Sequence, residues 1–273
     1  MTLFPNSNNS KANKFRDENL LTCRYTRSFN KTFKKDITFI QILFPFFTVK
    51  SITTSFSLLL FFTFFILNVC NFDRQSPLYL SETVLKRYGM IRNSVTNNHQ
   101  YYKLLTATFF HSSVWNLIIN VYYLMNIGII VERSYGKARY MAIMLLSVLC
   151  GNFLLCATSN CGDVHMGIST ILSGFMGLFL QEIVVRYKQL TDRSSVIRKY
   201  VFAVLSLYLT ISIFPFNGNI VGNLGAIFGG FCYPYFTRKG TFHGQEKKVK
   251  LTLAVLLILL LSSTLISLIV AKC

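Results

Sequence analysis

The feature that most constrains this chain is a set of long segments without a single charged side chain. Ser51–Phe72 and Leu251–Ala271 are uncharged throughout, and each supplies the roughly 20 apolar residues a helix needs to cross a bilayer. Leu104–Val131, Tyr140–Gly162 and the interval between Asp163 and Glu182 are further uncharged runs. Tyr200–Thr237 is too long for one crossing, and the turn-forming Pro215-Phe216-Asn217-Gly218 divides it into two short spans. The pattern predicts an all-α polytopic membrane protein with seven spans. Composition agrees, since hydrophobic residues make up 52% of the chain and charged residues 14%, against about 25% charged in a soluble domain.

Net charge is +18, yet the basic residues fall in the connections between spans and form no single surface for nucleic acid. Lys and Arg concentrate before Lys50, between Arg186 and Lys199 and between Arg238 and Lys250; Arg74–Lys103 is as basic as either of the last two but is a long loop, which carries little weight for orientation. Cytoplasmic loops carry such an excess, so the N-terminus is expected in the cytoplasm and the C-terminus in the lumen or outside. A seven-helix receptor of the usual kind has the opposite orientation. Residues 1–50 then form a basic cytoplasmic tail with an interfacial segment, Ile37–Val49, that leads to the first span. Residues 51–237 form a six-helix core, and residues 238–273 a cytoplasmic linker with a seventh helix. No apolar run within the first 30 residues suggests a cleaved signal peptide. The seven cysteines lie mostly inside spans, where they pack as small hydrophobes. Neither a zinc site nor a disulfide is expected from their spacing. No cofactor is implied. A transporter would call for ionisable residues inside spans or an inverted repeat, and neither is visible.

Polar residues at membrane depth are costly and mark function. His111, Asn116 and Asn120 enter at the start of the second span, Gly167-Ile168-Ser169 at the start of the fourth, and Asn223 at the start of the sixth. All three spans begin on the lumenal side, so these residues share one depth and a single site is geometrically possible. Helical spacing groups Ser169, Ser173 and Gly177 in one small-residue stripe and Asn223, Ala226 and Gly230 in another. Gly222, Gly225 and Gly229 add further small positions. Stripes of this kind let membrane helices approach closely.

From Tyr102 to Gly230, about half of the chain, these residues resemble the rhomboid intramembrane serine proteases. Lys103 stands where the family has Arg, and Gly128, Glu132, Arg133 and Gly136 fit the Glu-Arg loop that follows its second span. The run "MGISTILSGFMG" is similar to the family's Gly-x-Ser-Gly nucleophile segment, with Thr170 in place of the last Gly. "NLGAIFGG" is similar to its His-x-x-Gly-x-x-x-Gly, with Asn223 at the His position and Ala226 at the first Gly. The resemblance implies a six-helix core plus one C-terminal transmembrane helix, with Ser169 as nucleophile. Asn116 and Asn120, with His111, would be the oxyanion groups. It also implies that the partners are transmembrane helices of client membrane proteins, met within the lipid bilayer.

A serine hydroxyl attacks only when a base takes its proton, and the family resembles a two-residue Ser-His version of that arrangement. A carboxamide is no base at neutral pH, so Asn223 implies impaired proteolysis and a protein that binds client helices. The alternative is an active protease with another base. His243 falls on the cytoplasmic side, and His165 is expected to approach Ser169 only if the segment between them is helical.

Overall fold

The structure is a computed structural model and describes residues 43–44, 47–71, 78–186, 220–237 and 246–270. The described residues are mostly helical. Three helices, Ile52–Cys70, Val114–Tyr135 and Lys137–Thr158, are long and apolar enough to cross a membrane. The expected fifth span, the turn at Pro215, the N-terminal tail and most of Ile37–Val49 lie outside the described residues.

Helix α1 (Ile52–Cys70) starts at Ser51, whose hydroxyl accepts from Thr54 N at 3.0 Å. Three small helices follow: α2 (Glu82–Tyr88), α3 (Arg92–Thr96) and α4 (Lys103–Thr106). The second span is shorter than the uncharged run Leu104–Val131. After α4 comes a 3-10 turn, Ala107–Phe109, and then a non-helical stretch before α5 (Val114–Tyr123) begins at Ser113. The backbone there is taken by other loops, which explains the difference. Ser112 O accepts from Leu80 N at 3.0 Å, Val114 N donates to Leu78 O at 2.9 Å, and Ala107 O accepts from Gly167 N at 3.1 Å. Lack of charge marks depth in the membrane; it does not by itself mark helix.

A π-helical turn, Leu124–Gly128, joins α5 to α6 (Ile129–Tyr135). Gly136, at φ 81, a conformation that suits glycine, then turns the chain directly into α7 (Lys137–Thr158). The carboxylate of Glu132, buried on α6, reaches the start of α1. It accepts from Ile52 N and Thr53 N, both at 2.9 Å, and from Thr53 Oγ1 at 2.8 Å. An anion placed against the first N–H groups of a helix satisfies donors that have no partner within the helix and complements the helix dipole. Thr53 Oγ1 also stands 3.0 Å from the Tyr140 hydroxyl on α7, so one polar knot ties α1, α6 and α7 together.

Helix α8 (Ser169–Arg186) is the central element. Ile171, Leu172, Phe175 and Leu178 form one buried face, and Thr170, Met176, Phe179 and Gln181 are buried on the others, as befits a helix enclosed on all sides. Tyr140 stacks on Phe175 with ring centroids 5.5 Å apart. Helix α9 (Ile220–Thr237) packs against both α7 and α8, and α10 (Glu246–Val270) lies against α7 and α9.

Small residues set these contacts. A β-carbon added at Gly177 would run into the carbonyl of Ile227, and one at Gly230 into the carbonyl of Gly174. The α8 side of the interface therefore runs through Gly174 and Gly177, with Ser173 buried beside it, one position from the expected stripe. Gly222, Gly225 and Gly229 form a second stripe of α9 that faces α7 at Leu155, Cys150 and Leu154. One cysteine departs from expectation: Cys161 is disulfide-bonded, while Cys70, Cys150, Cys156 and Cys232 are free. Cys161 is exposed in the loop after α7, outside the apolar spans that shield the buried thiols.

Candidate active site

Ser169 is the first residue of α8, and its position is fixed by the loop in front of it. His165 pairs with Met90 in an antiparallel bridge, each backbone N–H donating to the other's carbonyl at 2.9 Å. Gly167 then takes φ +108, a conformation open to glycine, and its N–H is held by Ala107 O. The chain enters α8 immediately after this bend. Ser169 is buried, 6% exposed.

His111, Asn116 and Asn120 converge on Gly167. A β-carbon at that glycine would stand 3.7 Å from His111 Cδ2 and 3.9 Å from the side-chain nitrogens of both Asn116 and Asn120. The expected oxyanion groups are thus gathered two residues from Ser169. Asn120 Nδ2 donates to Asn116 Oδ1 at 2.5 Å, and Asn116 Nδ2 to Ser112 Oγ at 3.5 Å. Each carboxamide carries two N–H donors, and those of Asn120 include the bond to Asn116. His111 is fully buried, and among the described residues neither ring nitrogen has a hydrogen-bond partner.

Asn223 lies on the first turns of α9, buried, with Oδ1 unpartnered among the described residues. Its turn meets the turn of Ser169 at one point on α7. A β-carbon at Gly151 would lie 2.8 Å from Gly222 O, 2.8 Å from Thr170 Cγ2 and 3.0 Å from Ala226 Cβ. Residues flanking Asn223 and the residue following Ser169 therefore converge.

Two contributions were not visible in the motifs. Asn152 of α7 is buried, donates to Leu104 O at 2.6 Å and stands 3.4 Å from Thr108 Oγ1. The rule that singles out Asn116, applied to an Asn within the uncharged run Tyr140–Gly162, would have found it. Asn152, Thr108, His165, Ser169 and Thr170 also line a common cavity of about 10 Å³. His165 and Ser169 thus share a space although the segment between them is not helical. Lys103, at the position of the family's Arg, is buried in α4 and reaches Lys86 O at 3.4 Å. Burial pushes its ammonium pKa down.

Residues 98–240 match the Rhomboid domain family model. The chain belongs to the rhomboid family. It is 26% identical over 196 residues to Rhomboid-like protease 1 of Toxoplasma gondii, covering 72% of this chain and 66% of that protein. It is also 26% identical over 172 residues to RHOMBOID-like protein 7 of Arabidopsis thaliana, covering 63% and 54%. A third relative, Rhomboid-like protease 2 of Toxoplasma gondii, is 23% identical over 133 residues, covering 49% and 46%. This rhomboid thus spans between about half and two thirds of the length of these relatives. The match includes α4 through α9, so every residue of the candidate site lies within the rhomboid domain.

Proposed function

We propose that this rhomboid takes up transmembrane segments of client membrane proteins at the site around Ser169, and that its proteolysis is strongly impaired. The observation that carries the reading is Asn223, buried on the helix that packs against the nucleophile's helix, at the position where the family pattern places its base. Loss of the His in a serine triad lowers turnover by roughly 10⁶-fold, about 8 kcal/mol of barrier. The oxyanion side is better kept, because Asn116 and Asn120 still carry donors near Gly167. In this reading the N-terminus is cytoplasmic, and clients are met near the lumenal ends of their spans.

The test uses the full chain in proteoliposomes with a client transmembrane peptide that carries a photo-crosslinker. The peptide is expected to crosslink within residues 165–170 of the Ser169→Ala variant. Cleavage by the Asn223→His variant should exceed that of the wild type. Crosslinking spread evenly over lipid-facing positions such as Phe62 and Phe65, or wild-type cleavage as fast as that of Asn223→His, would refute the reading.

A further inference from the structure

The cavity beside Ser169 carries a consequence for the missing base. It measures about 10 Å³, and its lining combines apolar residues with polar residues of three different segments: His165 and Ser169 with Thr170, Asn152 on α7, and Thr108 before α5. That is close to the smallest space that holds one water, and a buried water needs two to four polar partners. Thr170 turns its methyl toward Gly151, and its buried hydroxyl has no partner among the described residues. His165 Nε2 is buried as well, and the backbone of His165 is fixed through Met90. A general base can act through one water.

We propose that His165 is the general base for Ser169, reached through a single water held in this cavity. The proposal rests on the reading that the site receives client transmembrane segments. Ser169 Oγ forms a bond to the scissile carbonyl carbon while its proton passes through the water to the ring of His165. The carbonyl π pair moves onto oxygen, where Asn116 and Asn120 donate to it. Collapse of the intermediate breaks the C–N bond, and the amine leaves with the proton returned by His165. A second water then attacks the acyl carbon and gives its proton to His165. Breaking the C–Oγ bond restores the Ser169 hydroxyl as the imidazolium gives that proton back. No cofactor or oxidant is needed, and the longer relay makes the reaction slower than a direct Ser-His pair.

The experiment measures cleavage of a transmembrane peptide by the full chain in proteoliposomes. Wild type should cleave slowly, Ser169→Ala should not cleave, and His165→Gln should lose about 10²- to 10⁴-fold, the usual contribution of a general base. His165→Ala enlarges the cavity by the ring, so added imidazole should restore part of the lost rate, which a merely structural role for His165 would not allow. His165→Asn serves as a second variant if either of these fails to fold, judged by melting in detergent. Wild-type cleavage that depends on Ser169 but is unchanged in the folded His165 variants overturns the proposal. So does a wild type that does not cleave at all. Crosslinking of the client peptide to Ser169→Ala is measured separately and reports whether client binding itself stands.

Discussion

Replacing Gly177 or Gly230 by Ala isolates the contact that positions the two halves of the site. In a helix interior Ala is more favourable than Gly by roughly 0.5–1 kcal/mol, so a substitution into open space would stabilise. Neither position is open. The β-carbon at Gly177 would meet the Ile227 carbonyl, with Ile227 C and Phe231 N both at 2.8 Å. At Gly230 it would meet the Gly174 carbonyl, with Gly174 C at 2.7 Å and Cα at 3.0 Å. These are main-chain atoms of a packed helix, which cannot rotate aside, so α8 and α9 must separate. Overpacking costs typically 1–3 kcal/mol, and an obstacle made of backbone belongs at the upper end. The net loss is then about 1–2.5 kcal/mol for each variant, or about 2–10 °C of melting temperature at roughly 2–4 °C per kcal/mol. Gly162→Ala is the control. Its added β-carbon would meet nothing within 4 Å, so its melting point should change little. Because one separation of the helices relieves both contacts, Gly177→Ala with Gly230→Ala should cost less than the sum of the two. Melting of purified variants in detergent, followed by tryptophan fluorescence or differential scanning, gives the values. Melting of both single variants at or above the wild-type temperature would refute the argument.

Glu132→Gln should destabilise by about 2 kcal/mol, because three donors lose a charged acceptor, and a melting curve in detergent reads it directly. Adding Ala226→Gly to Asn223→His should raise cleavage of a model transmembrane peptide above the single variant by giving the imidazole room, and Ser169→Ala should abolish the gain. Glycosylation scanning should modify acceptor sites placed at Asn217 and leave those between Arg186 and Lys199 unmodified; the reverse pattern would remove the shared facing of Ser169 and Asn223. Gly151→Ala should lower the melting temperature, since its β-carbon would face Gly222 O, Thr170 and Ala226 at once.

What could be read from the chain alone was what depends on spacing along one element. Uncharged length predicted α1, and the run Tyr140–Gly162 contains most of α7, because crossing a bilayer sets a length that composition reports directly. The polar residues at the starts of spans were also legible, and His111, Asn116 and Asn120 do gather at Gly167. Contacts that depend on the phase between elements were not. The α8 stripe was placed at Ser173, whereas the contact runs through Gly174, since a single-position shift along a helix turns its face by about 100°. The non-helical segment around Ser112 leaves no mark in the local pattern because its backbone partners, Leu78 and Leu80, lie in a separate loop. Helical geometry would be needed for His165 to approach Ser169 along the chain, and the Met90 bridge with the bend at Gly167 takes its place. The cysteine pattern gave no sign of the Cys161 disulfide, since a pairing depends on which loops meet.

The departures from the family pattern are packed as a set. Thr170 and Ala226 each add atoms where the pattern has glycine, on two helices that already approach at backbone distance. Both side chains point to Gly151 of α7, whose missing β-carbon leaves the space that Thr170 Cγ2 and Ala226 Cβ occupy. Random decay of an unused site would add volume without such a complement and leave strain or a void. Here the third helix supplies the room, and Thr170 also lines the cavity that includes Ser169 and His165. Asn223 therefore stands in a region that remains closely packed around Ser169. Ser169 stays buried, with His111, Asn116 and Asn120 gathered at Gly167 and His165 on the same cavity.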